Sequence, residues 1–143
     1  MSKKKNHPIS GGEAVVQCLK AYNIKYVFGL IGSATMELFD ALYHEKSITF
    51  IDVRDERTGA HMADAFARAS GSNGVIIAGQ NGPGATNLVT GVAQAKAAFS
   101  PLLSIAGAIA TEHQGKDAFQ EVDQQKLFEP ITKKTFSIKD TKS

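Results

Sequence analysis

The sequence holds a single cysteine, Cys18, no tryptophan and only four prolines in 143 residues. One thiol cannot build an internal disulfide framework or a cysteine-based metal knuckle. No apolar run approaches the ~20 residues that a membrane span requires, so a membrane partner is not expected. The opening Met1-Ser2-Lys3-Lys4-Lys5-Asn6-His7-Pro8 is basic with no apolar stretch behind it, unlike a secretory signal. A cytoplasmic protein is therefore expected. Charge of one sign is scarce too: 16 Lys and Arg face 14 Asp and Glu, leaving +2. Lys3, Lys4 and Lys5 account for that excess, and the body lacks the basic face with reading elements that nucleic acid demands. The length indicates one domain, large enough to bury roughly two thirds of its unfolded surface.

Along the chain, residues 1–10 read as a basic flexible tail, 11–138 as the domain, and 139–143 as a linker or ragged terminus. Ser10-Gly11-Gly12-Glu13 fits a capping box, in which a hydroxyl and a carboxylate three residues apart satisfy each other's backbone donors. Val15, Cys18, Leu19 and Tyr22 continue at helical spacing, predicting a helix over 11–23. A β-branched and aromatic strand follows over 25–30, then a helix marked by Leu38, Phe39 and Leu42. A second strand is expected over 48–53, an Ala-rich helix over 57–70 and a third, wholly apolar strand over 74–78. A helix over 85–98 and a fourth strand over 102–106 complete the series. Residues 108–122 are polar and predict a loop; a short helical stretch holds Leu127 and Phe128, and Thr135–Ile138 reads as a last edge strand. Strand alternating with helix through short connections calls for an α/β fold: a three-layer parallel sheet with helices on both faces.

Ligands of such sheets gather beyond the carboxyl ends of the strands, so the residues after each strand are the candidates. Glu56, in Arg54-Asp55-Glu56-Arg57, falls at a strand-to-helix junction. There it is either a helix N-terminal charge paired with a neighbouring arginine or an acid–base or cofactor-binding carboxylate. Gly79–Asn87 is a Gly-rich turn, yet Asn87 stands where a dinucleotide fingerprint needs its third glycine, and Pro83 removes an amide donor that a phosphate would use. A tight turn with a Pro-initiated helix, open to a ligand, fits better. Gly115–Asp123 is a polar loop with one aromatic. His61 has no second histidine at metal-ligand spacing, so no metal site is expected.

Four ordered motifs together resemble the N-terminal, pyrimidine-binding domain of thiamine-diphosphate enzymes in the acetolactate synthase-like family. They are Phe28-Gly29-Leu30-Ile31-Gly32, Arg54–Arg57 with the Ala-rich helix behind it, Gly82-Pro83-Gly84-Ala85-Thr86-Asn87, and Asp117–Asp123 with Thr132-Lys133 beyond. The resemblance runs from about Gly11 to Phe136 and implies the thiamine-diphosphate-binding fold. It implies that Glu56 is catalytic, hydrogen-bonding a ring nitrogen of the cofactor's aminopyrimidine and promoting the imino tautomer that takes the thiazolium proton. That role needs a largely dehydrated carboxyl able to share a proton with a weakly basic ring. By the same resemblance Ile31, Gly32, Pro83 and Asn87 line the pyrimidine pocket, while Gln120 faces the reacting centre with Phe119 beside it. A small 2-keto acid is the implied substrate, thiamine diphosphate the implied cofactor, with the question of flavin left open.

The sequence departs from the family at several points. Asp55 replaces the usual histidine, Arg57 the usual glutamine, and Ile31 a proline typical of acetolactate synthases. Gly29–Ala34 and Gln80–Gly84 are instead similar to sulfoacetaldehyde acetyltransferases. The Gly-Asp-Gly segment that holds the diphosphate and Mg²⁺ in these enzymes is missing. A complementary diphosphate-binding domain or subunit, or another copy in a homo-oligomer, is therefore an expected partner, and the chain alone is expected to be silent. The competing expectations are a non-catalytic, flavodoxin-like binding module and, less well supported, a dinucleotide-binding domain.

Overall fold

The computed structural model describes residues 8–140. Lys3, Lys4 and Lys5, read above as a basic tail, and the last three residues of the expected terminus lie outside them. Among the described residues, six α-helices and four β-strands follow in the order α1 (Gly11–Ala21), β1 (Tyr26–Gly29), α2 (Met36–His44), β2 (Thr49–Asp52), α3 (Glu56–Ser70), β3 (Gly74–Ala78), α4 (Pro83–Asn87), α5 (Val89–Ala97), β4 (Leu102–Ala106) and α6 (Gln124–Phe128). The start of α1 is the capping box read from the sequence. Ser10 Oγ accepts from Glu13 N at 3.1 Å, and Glu13 Oε2 accepts from Ser10 N at 2.6 Å.

The strands form one parallel sheet in the order β2-β1-β3-β4. Side chains alternate across it, and each face packs its own layer. Val27, Val75 and Ile77 meet Val16 and Leu19 of α1 and Leu38, Phe39 and Leu42 of α2. Phe28, Ile76 and Ala78 meet Ala60 and Ala63 of α3, Ala85 of α4, Val92 of α5 and Phe128 of α6. Val27, Ile76 and Ile77 are wholly buried, each stabilising the fold by roughly 1.5–3 kcal/mol. Gly91 carries α5 hard against α3: a Cβ there would run into Ala60.

Two expectations need correction. The helix foreseen over 85–98 starts at Pro83 and breaks at Leu88, whose N–H turns back to Ala85 and Thr86 before α5 begins. Asn87, the last residue of α4, spends its side chain on Glu56 at this break. Thr135–Ile138 forms no strand. The segment alternates as a strand does, but a strand exists only where a neighbour supplies the ladder, and none pairs with it among the described residues. Phe136 and Ile138 remain exposed, with the Lys134 ammonium 5.3 Å from the Phe136 ring centre.

The chain leaves β1 for β2 on one side and returns to β3 on the other, so the sheet changes direction between β1 and β3. The crevice outside the carboxyl ends of these two strands is where such sheets bind ligands.

Candidate functional site

Two glycines close the floor of that crevice. Gly32, after β1, and Gly79, after β3, lie backbone against backbone; a Cβ on either would strike the other's main chain. Thr35 fastens the same place, its hydroxyl donating to the carbonyls of Ala78 (3.3 Å) and Gly79 (3.1 Å).

Glu56 is the first residue of α3, and only 4% of it is exposed. Its neighbour explains the inward turn. Asp55 is the N-cap of α3, its Oδ1 accepting from Arg57 N at 2.8 Å, so the capping role is filled and the Glu56 carboxylate is free to point elsewhere. Asp55 Oδ2 also meets the Arg57 guanidinium at 3.1 Å. The backbone and side chain of Arg57 hold the Asp55 carboxyl below its usual range. Asp55 and Arg57, two of the departures noted in the sequence, thus pair with each other and add little net charge beside Glu56. Arg54 turns outward to Asp52, at 2.6 Å on the surface.

Asn87 Nδ2 donates to Glu56 Oε2 at 3.1 Å, which leaves Oε1 without a partner among the described residues. Gly84 stands over that oxygen: a Cβ added to it would lie 3.0 Å from Oε1. Two residues of the Gly-rich turn therefore frame a buried carboxylate whose second oxygen is unengaged. The helix N-terminus beneath it favours negative charge.

The far side of the turn meets the loop after β4. Gly82 has φ +56°, and a Cβ there would collide with the carbonyl oxygen of Gln120. Asn81, 5% exposed, donates to the carbonyls of Phe119 (3.2 Å) and Gln120 (3.1 Å). Gln80 Nε2 donates to Gln120 Oε1 at 3.0 Å, and Gln80 Oε1 accepts from Ser33 Oγ–H at 2.7 Å. The loop is closed by Glu121, which accepts from the amides of Gly115 (2.5 Å) and Ala118 (3.2 Å). Those amides, Gly115 foremost, hold the Glu121 carboxyl below its usual range.

Of the residues picked from sequence, Glu56 and Asn87 are bonded directly, Gly32 lies in the floor, and Gln120 is tied to the same turn that carries Pro83. Ile31, Pro83 and Phe119 are exposed at this edge, and the Glu56 side chain is bonded to Asn87 instead. An open depression of about 400 Å³, lined among others by Ser33, Asn81, His113 and Phe119, lies beside the turn. Glu56 is not in its lining. Ser33, Gln80 and Gly84 fall within the motifs quoted from the sequence, but none of them was expected to be a site residue. The place of Gln80 and Gly84 just past β3, at the change of sheet direction, was the available signal; Ser33 offered none.

A four-stranded parallel sheet packed by helices on both faces, with a buried carboxylate at the edge beyond its strands, defines the class as an α/β domain. Residues 9–127 match the family described as "Thiamine pyrophosphate enzyme, N-terminal TPP binding domain", and the chain belongs to that family. It is similar, at 47% identity over 92% of its length, to the "Probable acetolactate synthase large subunit" of Methanocaldococcus jannaschii. It is 42% identical over 93% of its length to the "Acetolactate synthase isozyme 3 large subunit" of Escherichia coli. With the "Acetolactate synthase large subunit" of Lactococcus lactis it shares 40% over 96%. The chain spans 22%, 23% and 24% of these relatives, respectively. No helix among the described residues is long and apolar enough to cross a membrane.

Proposed function

We propose that the chain is the pyrimidine-binding half of an acetolactate synthase-like enzyme acting on a 2-keto acid. Its active centre is completed by a diphosphate-binding domain, in a longer version of the chain or in a partner subunit, which also supplies Mg²⁺. The observation that carries this reading is Glu56: a buried carboxylate with one oxygen held by Asn87 and the other unengaged beneath Gly84.

The residues fit the pyrimidine half of thiamine diphosphate. Glu56 would hold a ring nitrogen through Oε1, where a carboxyl can share a proton with a weakly basic ring. Asn87 keeps the carboxyl group from rotating, and burial keeps water from competing for that proton. The absence of a side chain at Gly84 leaves room above the carboxylate. Ile31 and Pro83, apolar and exposed at the edge, would flank a flat aromatic ring. Phe119 and the Gln120 amide would line the side of the site that the substrate enters. When bound, the cofactor supplies the electron sink for the 2-keto acid, and the protein's task is to position it.

The reading is tested on the enzyme assembled with a diphosphate-binding half. Glu56→Gln keeps the size and the hydrogen bond with Asn87 but cannot move the proton, and should lower turnover by ~10²–10⁴-fold. Unchanged turnover would favour a binding module that has kept the sheet without the chemistry.

A further inference from the structure

The Gln120 backbone is fixed from several directions. Its φ of +61° is left-handed, its carbonyl sits against Gly82 and receives Asn81 Nδ2, and Glu121 gathers the loop beside it. What that arrangement leaves undecided is which end of the side-chain amide faces outward, because a terminal amide can turn over at little cost. A hydrogen-bond chain decides it: Ser33 Oγ–H donates to Gln80 Oε1, and Gln80 Nε2–H donates to Gln120 Oε1. The Gln120 carbonyl is thereby occupied, and its Nε2 has no partner among the described residues. Gln80 also adjoins the other half of the site, since a Cβ on Gly84 would lie 3.4 Å from Gln80 Cβ and 3.0 Å from Glu56 Oε1.

We propose that Gln80 is a positioning residue that turns the Gln120 amide so that its NH₂ group meets the substrate, which makes the substrate group recognised there the carboxylate of the 2-keto acid. A carboxylate only accepts hydrogen bonds, and an amide N–H aimed at it forms the stronger, charge-assisted kind. The proposal rests on the function proposed above, yet the amide's orientation can be read without any turnover.

The test is Gln80→Glu, which exchanges the donor facing Gln120 for an acceptor. The Gln120 NH₂ then turns to the new carboxylate, and its carbonyl faces outward. In the 143-residue chain, side-chain amide spectra should show the Gln120 NH₂ signals in free, solvent-exchanging positions for the native protein. In Gln80→Glu they should move to hydrogen-bonded positions. In the assembled enzyme, the KM for the keto acid should rise about tenfold, as expected for loss of a hydrogen bond to a charged group. The cofactor concentration for half-activation should stay as it was. Gln80→Ala, which frees the amide without reversing it, should raise the same KM by less. Native Gln120 NH₂ signals already hydrogen-bonded, or unmoved by Gln80→Glu, would overturn the proposal, as would an unchanged keto acid KM. If the spectra behave as expected but Glu56→Gln leaves turnover intact, the amide polarity stands and the proposed function falls.

Discussion

Gly84 sets how near α4 comes to the Glu56 carboxylate. A methyl group there would stand 3.0 Å from Oε1, closer than an unstrained contact allows, and would occupy the space a ring must enter. Gly84→Ala should therefore weaken thiamine diphosphate binding by the assembled enzyme while the chain stays folded. Calorimetric titration together with circular dichroism checks this, and native affinity in the variant would show that nothing enters above Glu56. At this scale some of the site was legible. Glu56 stood out because a carboxylate directly after a strand sits where sheets bind ligands, and Asn87 because it replaced an expected glycine. Gln80 and Gln120 lie 40 residues apart, and no periodicity links a turn after β3 to a loop after β4. Their bond appears only once the sheet brings both ends to one edge. The mutual pairing of Asp55 and Arg57 was hidden for another reason: sequence marks each as a departure, while the cap that joins them depends on the φ and ψ of Asp55.

At the scale of elements, the loop of residues 115–121 depends on a carboxylate rather than on a buried core. Glu121 closes it by accepting backbone amides, and its carboxyl titrates below the usual range because those amides stabilise the charged form. A carboxyl depressed in the folded state stabilises it above the unfolded value, and that contribution is lost as pH falls through the depressed one. The loop should thus stay closed near neutrality and open on acidification below the ordinary carboxylate range. The Gly115 and Ala118 amide signals, followed by NMR against pH, should lose their hydrogen-bonded shifts there; shifts that hold to the bottom of the range would contradict the clasp. The helices and strands themselves were readable because each rests on local pattern: the capping box, the Ala-rich face of α3, the apolar run of β3. The break at Leu88 and the unpaired 135–138 segment were not. The first is a tightened turn at Leu88, whose N–H bonds Ala85 O, with no Gly or Pro at that position to announce it, and the second follows from a missing neighbour.

On the scale of the whole molecule, the crevice is built from one side. β1, β2, β3 and β4 deliver Gly32, Glu56, the Gly-rich turn and the Gln120 loop to one edge, and Phe119 is left 81% exposed there. The chain spans about a quarter of the relatives it matches, and it carries no Gly-Asp-Gly segment for a diphosphate. With thiamine diphosphate, Mg²⁺ and pyruvate, the purified chain should form neither acetolactate nor acetaldehyde, and addition of a diphosphate-binding half should restore turnover. Product from the chain alone would show that these residues suffice. The parallel order was legible from alternation alone, because a crossover must return each strand in the same direction. Which strand faces which came only with the structure.

The central claim is that the Glu56 carboxyl, held by Asn87 and shielded from water, moves the proton that activates the cofactor. It is tested most directly by the rate at which the thiazolium C2 proton of bound thiamine diphosphate exchanges with deuterium, at saturating cofactor and without substrate, in the assembled enzyme and in its Glu56→Gln variant. The account predicts exchange slower by ~10²–10⁴-fold in the variant; equal rates in the two proteins would contradict it.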